Sequence, residues 1–201
     1  MSITTAKIQI VGTRPLLWHV FGPESIPLEK QERTGVAGND PEEWKRTFLA
    51  NKEGQLYLRP DYIFGCLRDG AKHTKKGRGS ILRLVAATLQ IVDDRVYIDR
   101  FIPGWNGGPP EELTRDPDEP VYLDVRGVVN PGSRGRNVRY RVAASPGWRT
   151  EFTILFENTI VSRAEMEAVA LDAGRLVGLG DGRNIGFGRF EVEEFLVEIV
   201  Y

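Results

Sequence analysis

Residues 178–188 read GLGDGRNIGFG, with five glycines in eleven positions: Gly178, Gly180, Gly182, Gly186 and Gly188. Glycines at this density serve positive φ angles, or the close approach of another backbone or a ligand. The backbone N–H groups they bare can form a concave nest for a phosphate. Arg183 and Arg189 add guanidiniums whose paired N–H groups match a phosphate. A helix end with a tight turn accounts for Gly178 and Gly182, but not for the other three. A dinucleotide fingerprint fits poorly. There the glycines follow a strand and open a helix, and here they follow a helical pattern and precede a strand.

The basic side chains are clustered too. Residues 126–149 hold Arg126, Arg134, Arg136, Arg139, Arg141 and Arg149 and no acid. Residues 66–83 hold Arg68, Lys72, Lys75, Lys76, Arg78 and Arg83 against Asp69 alone. The net charge is only −1, which argues against indiscriminate polyanion binding but leaves room for one basic face. For any single Lys or Arg, solvated surface is the plainer role. Trp18, Trp105 and Phe187 are candidates for stacking on bases, worth about 1–3 kcal/mol each where it occurs. Core packing is the competing role for all three.

Candidate catalytic groups are few. His19, in PLLWHVF, could act as general base or acid on a ribose hydroxyl. A packing or stacking role beside Trp18 competes with that. His73 lies in a lysine cluster. Asp40 precedes Pro41 and reads equally as a turn or helix-capping residue. One cysteine, Cys66, and two scattered histidines give no zinc-ligand spacing. A P-loop and serine-nucleophile motifs are absent. Nothing calls for a cofactor or a metal.

The elements that must position these groups are legible in outline. AKIQIVG, 6–12, alternates as a first strand. TRPLLWHVFGP is an exit loop ended by Gly22-Pro23. Residues 24–55 read as an inserted flap, with PEEWKRTFLA as a short helix. The spacing of Ile63, Leu67 and Ala71 predicts a helix over 60–74. LRLVAATLQIV, 82–92, reads as a buried strand, with helix as the alternative at 85–87. VYIDRF is a strand and 101–120 a Gly/Pro-rich loop. Residues 121–129 and 138–144 pair as a hairpin with a basic tip and outer face. Residues 148–157 alternate as another strand. Ser162 and Glu165 form a capping box opening a helix over 162–178. Residues 187–201 close the chain as a strand. With insertions at 24–55 and 93–145 set aside, one domain over 1–201 reads as β-α-β-β-α-β. That is an α+β, ferredoxin-like (RRM-like) arrangement with one sheet face free. The absence of an apolar span or leader pattern, and the lone cysteine, predict a cytoplasmic protein with no membrane partner.

The glycine pattern resembles the C-terminal glycine-rich loop of the RAMP superfamily, the ferredoxin-like proteins of CRISPR effector complexes and guide-RNA processing. The match is Gly178-Leu179-Gly180, a five-residue spacer containing Arg183, then Gly186-Phe187-Gly188. Pro60, Gly65, Leu67 and Arg68 are similar to the family's entry into its first helix. TRPLLWH, DAGRLVGLGDGR and FGRFEV also resemble uncharacterised phage- or prophage-type members. Residues 24–55 and 93–120 align with nothing. The resemblance implies binding of single-stranded RNA along the sheet face and the glycine loop, by a non-catalytic backbone subunit assembled with similar subunits or copies of itself. The binding set it points to is the loop (Gly178, Gly180, Gly182, Arg183, Gly186, Gly188, Arg189), the first helix and its end (Arg68, Lys72, Lys75, Lys76, Arg78), the hairpin (Arg126, Arg134, Arg136, Arg139, Arg141), and Trp18 with His19. Two other readings stay open. One is a metal-independent endoribonuclease using His19, with Asp40 as a second candidate. The other is a phage-type single-stranded DNA binder or a protein–protein scaffold.

Overall fold

The computed structural model describes residues 2–21, 40–129 and 134–198. The predicted turn at Gly22-Pro23, the flap as far as Asn39 and the hairpin turn 130–133 lie outside them. The elements in chain order are β1 (Ile3–Gly12), β2 (Leu16–Leu17), β3 (Gln55–Leu58), α1 (Pro60–Gly70), β4 (Lys75–Lys76), β5 (Gly79–Ser80), α2 (Leu82–Thr88), β6 (Gln90–Ile91), β7 (Val96–Phe101), β8 (Val121–Val129), β9 (Arg136–Ala144), β10 (Arg149–Glu157), α3 (Arg163–Asp172) and β11 (Phe190–Glu198).

The chain divides into two compact units and passes between them after Leu16, Leu56, Asp99 and Ser145. The first holds the sheet β11-β1-β10-β7-β3, with β6 also pairing to β10. β1 runs antiparallel to both β10 and β11. Taking β1, β7, β10 and β11 as strands one to four, the order is 4-1-3-2. With α1 after strand one and α3 after strand three, the fold is α+β and ferredoxin-like. β1 alternates strictly: Ala6, Ile8 and Ile10 are buried, while Lys7 and Gln9 face outward. β10 answers with Phe152, Ile154 and Phe156. Truncating one of these phenylalanines to Ala leaves a cavity and costs about 3–5 kcal/mol. The second unit carries the sheet β2-β9-β8.

Three expectations need correction. The helix predicted over 60–74 ends at Gly70 and runs on as a turn. The strand predicted over 82–92 is mostly α2, and only Gln90–Ile91 is strand. Ile81, Val85 and Leu89 are the buried residues there, four apart, so the segment packs by a helical stripe. TRPLLWH is not all loop, because Leu16–Leu17 pairs with β9.

Candidate nucleic-acid interface

α3 begins as predicted. Glu165 N–H donates to Ser162 Oγ at 3.3 Å, and Ser162 N–H donates to the Glu165 carboxylate at 2.8 Å. Its far end is unusual: Ala173–Val177 form a π turn, closed by Gly178 N–H on the Ala173 carbonyl at 2.9 Å. The inserted residue brings the helix backbone against β11. A Cβ on Gly174 would lie 2.3 Å from the Phe190 carbonyl oxygen.

All five loop glycines have positive φ: 87° at Gly178, 71° at Gly180, 70° at Gly182, 95° at Gly186 and 68° at Gly188. Gly188 has no room as well as no choice, since a Cβ there would stand 1.8 Å from the Leu179 carbonyl oxygen. That contact exists because the loop's two ends are zipped together. Leu179 N–H donates to Gly188 O at 2.9 Å, and Gly188 N–H donates to Pro15 O, just past β1, at 2.8 Å. Ile185 and Phe187 N–H both donate to Gly182 O, at 3.1 and 3.3 Å, and Gly186 N–H donates to Arg183 O at 3.1 Å. The expectation of a bare N–H run along the whole loop is therefore corrected. Any phosphate nest is confined to its middle, 180–184.

That middle stretch lines a cleft of about 540 Å³, with Tyr62 and Asp69 of α1 on the other wall. Arg183 Nη1 lies 3.7 Å from Asp69, which also takes Arg68 at 3.1 Å and Lys72 at 2.8 Å. The structure thus brings Arg68, Lys72 and Arg183 onto one carboxylate. Burial works to raise the Asp69 pKa, but the Lys72 and Arg68 hydrogen bonds outweigh it and hold the carboxyl below its ordinary range. Tyr62 moves the other way, its phenol raised first of all by burial. Lys75 and Arg78 are exposed around the small β4–β5 ribbon. Lys76 is turned aside to Glu165, at 2.9 Å, and to Ile160 O, at 3.0 Å.

Arg189 lines a separate cleft of about 380 Å³ with Thr13, Arg14, Gly174, Arg175, Gly186, Phe190 and Glu191. Sequence reasoning missed Arg14 and Arg175. They are single arginines far apart in the chain, and only the meeting of β1's exit with the π turn makes them neighbours.

In the second unit, several candidates are committed to structure. Trp18 is 1% exposed and sits in the core, so its expected base-stacking role is corrected: the ring offers no face. Arg141 is 6% exposed and lies opposite the buried Asp124 in the β8–β9 register, which removes it from any surface track. Arg126 grips the same Asp124 through Nε at 2.9 and 2.8 Å. Arg139 reaches Glu43 at 3.2 Å, Tyr140 N–H donates to that carboxylate at 2.9 Å, and His19 Nε2 stands 3.7 Å from it. Burial works to raise the Glu43 pKa, but the His19 contact, the Tyr140 N–H and the Arg139 charge together bring it below the usual value. Asp40 accepts the Glu42 N–H at 3.0 Å and pairs with Arg46, so it serves the turn before the 3-10 helix at Glu43–Arg46. Arg134 and Arg136 are exposed near the hairpin turn. Trp105 donates to Lys52 O at 3.0 Å and packs edge-on to Phe48, a scaffolding role.

The outward face of the first unit's sheet is mixed in charge. The cross-strand row Glu151–Gln9–Glu194 runs over it, and the next row is Arg149–Val11–Glu191. Lys7 is drawn to Glu151 at 2.7 Å. At the β7–β3 side, Tyr57 and Tyr97 lie 5.8 Å apart with Arg95 over the Tyr57 ring. Cys66 is buried and its thiol is pushed up to about 12 by burial, so it offers no thiolate. Among the described residues no cluster of three metal-ligating side chains occurs, and no helix is long and apolar enough to cross a membrane.

No family model and no curated protein matches the chain. Among solved structures, it is similar to a chain in the cryo-EM structure of the type III-B Cmr-β bound to cognate target RNA, at 15% identity and a TM-score of 0.51. The match covers 97% of this chain and 60% of that one, so this chain spans about three-fifths of the length of its neighbour. At that identity the likeness is one of fold alone.

Proposed function

We propose that this chain binds single-stranded nucleic acid, RNA favoured over DNA, as a non-catalytic RAMP-type subunit of a larger assembly built from similar subunits or copies of itself. The observation that carries the reading is the glycine loop. Five left-handed glycines hold a closed, cross-braced turn whose middle presents Arg183 beside Arg68 and Lys72 around Asp69. Such a turn lets a sugar–phosphate backbone approach without meeting side chains, and the three cations supply non-sequence-specific attraction. The fold likeness to a chain of an RNA-bound complex supports RNA as the ligand. Exposed Lys75, Arg78, Arg134 and Arg136 supply further cations within their own units. The carboxylate row on the sheet disfavours a phosphate path across its centre.

The test is fluorescence-anisotropy titration of the intact protein with matched single-stranded RNA, single-stranded DNA and duplex DNA at two salt concentrations, without metal, with each probe run on a gel afterwards. Tight, salt-sensitive single-strand binding with intact probe is the expected result. No binding to any probe overturns the proposal and leaves a protein scaffold.

A second reading draws on the placing of His19 against Glu43, which gives the imidazole an orienting carboxylate. A metal-independent endoribonuclease would cut the RNA probe and lose that activity in His19→Ala.

A further inference from the structure

We infer that the cleft lined by Arg14, Arg175 and Arg189 is a binding site for a doubly charged phosphate group, separate from the Arg183 cleft. Three arginines line it from three parts of the chain: β1's exit, the π turn and the start of β11. None of the three has an acidic partner among the described residues, whereas Arg59, Arg68, Arg126, Arg139, Arg149 and Arg183 each have one.

The backbone fixes where the arginines stand in the wall. Thr13 N–H and Arg14 N–H both donate to the Arg189 carbonyl, at 2.8 and 3.2 Å, which locks two of the three arginines to each other. The Thr13 hydroxyl lies at the same rim, and Gly186 opens it with no neighbour within 4 Å of its Cβ position.

Charge selects the ligand class. Three arginines give +3 and Glu191, which also lines the cleft, gives −1, a balance of +2. An internal phosphodiester carries one negative charge. A terminal phosphate monoester carries about two at neutral pH, and a diphosphate carries more. Planar guanidiniums bind such groups through paired N–H···O bonds, and the higher charge favours a dianion over a monoanionic guest. The site therefore takes a terminal phosphate, borne either by an oligonucleotide end or by a free nucleotide.

The experiment uses the intact protein and two probes. Inorganic pyrophosphate is titrated by calorimetry into the wild type and into Arg14→Ala and Arg175→Ala. Both side chains are exposed, so neither change opens the core. In parallel, one single-stranded oligonucleotide is compared with and without a 5′-phosphate. Expected are saturable pyrophosphate binding, weakened about tenfold by either substitution, and Arg183→Ala without effect on it. A 5′-phosphate advantage lost in Arg175→Ala identifies the oligonucleotide end as the source. Pyrophosphate binding with no such advantage identifies a free nucleotide, and both support the site. No pyrophosphate binding together with equal affinity for the two oligonucleotides overturns it. Binding of the 5′-hydroxyl oligonucleotide reads the proposed function separately, so the two can fail independently.

Discussion

The hairpin β8–β9 and the glycine loop look alike as sequence, each rich in arginine and glycine, but the structure uses their charge in opposite ways. In the hairpin, Arg126 belongs to the buried Asp124 and Arg139 to the buried Glu43, while Arg141 is itself buried opposite Asp124. Their guanidiniums hold the second unit together. Around the loop, Arg14, Arg175 and Arg189 share a cleft with one acid, Glu191, and none of the three is ion-paired among the described residues, while Arg183 shares Asp69 with two other cations. An acid-free stretch of sequence is therefore not a free positive surface. The acids that neutralise the hairpin arrive from Glu43, far away in the chain, and from Asp124, two residues before the stretch begins.

The sharpest way to break this contrast is at the loop's scaffold. Gly188→Ala places a Cβ 1.8 Å from the Leu179 carbonyl at a left-handed φ, and should destabilise by about 4 kcal/mol. Gly186→Ala, at φ 95° in open space, should cost only about 1 kcal/mol. Chemical denaturation reads both, and equal losses would deny the bracing. Next, Glu43→Ala should cost about 3 kcal/mol by stranding Arg139 and the Tyr140 N–H in the second unit. Because the folded pKa of Glu43 lies below its ordinary value of 4.5, the wild type holds this stabilisation fully above that pH. It is lost as the pH falls through the lower folded value. Stability curves of wild type and Glu43→Gln should converge there, and parallel curves would rule the linkage out.

Smaller effects separate free from committed charge. Arg183→Ala should weaken single-strand binding about tenfold and lower the salt slope by about one. Arg139→Ala should lower stability while leaving that slope unchanged, in a titration at the same two salt concentrations. The smallest effect is expected for Arg136→Ala: stability within about 0.5 kcal/mol of wild type, and a weak, salt-sensitive loss of binding.

What could be read in advance was whatever is local. The Ser162–Glu165 box, the alternation of β1 and β10 and the glycine loop are each written within about ten residues, and each formed. α2 was misread because an apolar run of mixed residues fits both periods, and only the burial of Ile81, Val85 and Leu89 decides. The fates of Trp18 and Arg141 depend on which distant residues of their own unit pack around them. The Arg14–Arg175–Arg189 cleft depends on three segments meeting, which no window of sequence contains.

β1 carries a further consequence in time. Its two partners along most of its length are β10 and β11, so the strand formed by residues 3–12 pairs with residues 149–157 and 190–198. On a ribosome it emerges well before either partner, and β10 is complete only about 145 residues later, roughly seven to thirty seconds at ordinary elongation rates of about 5–20 residues per second. For that interval Ala6, Ile8 and Ile10 form an uncovered apolar stripe on an unpaired edge. An inner strand of the finished sheet is thus the segment most in need of shelter during synthesis.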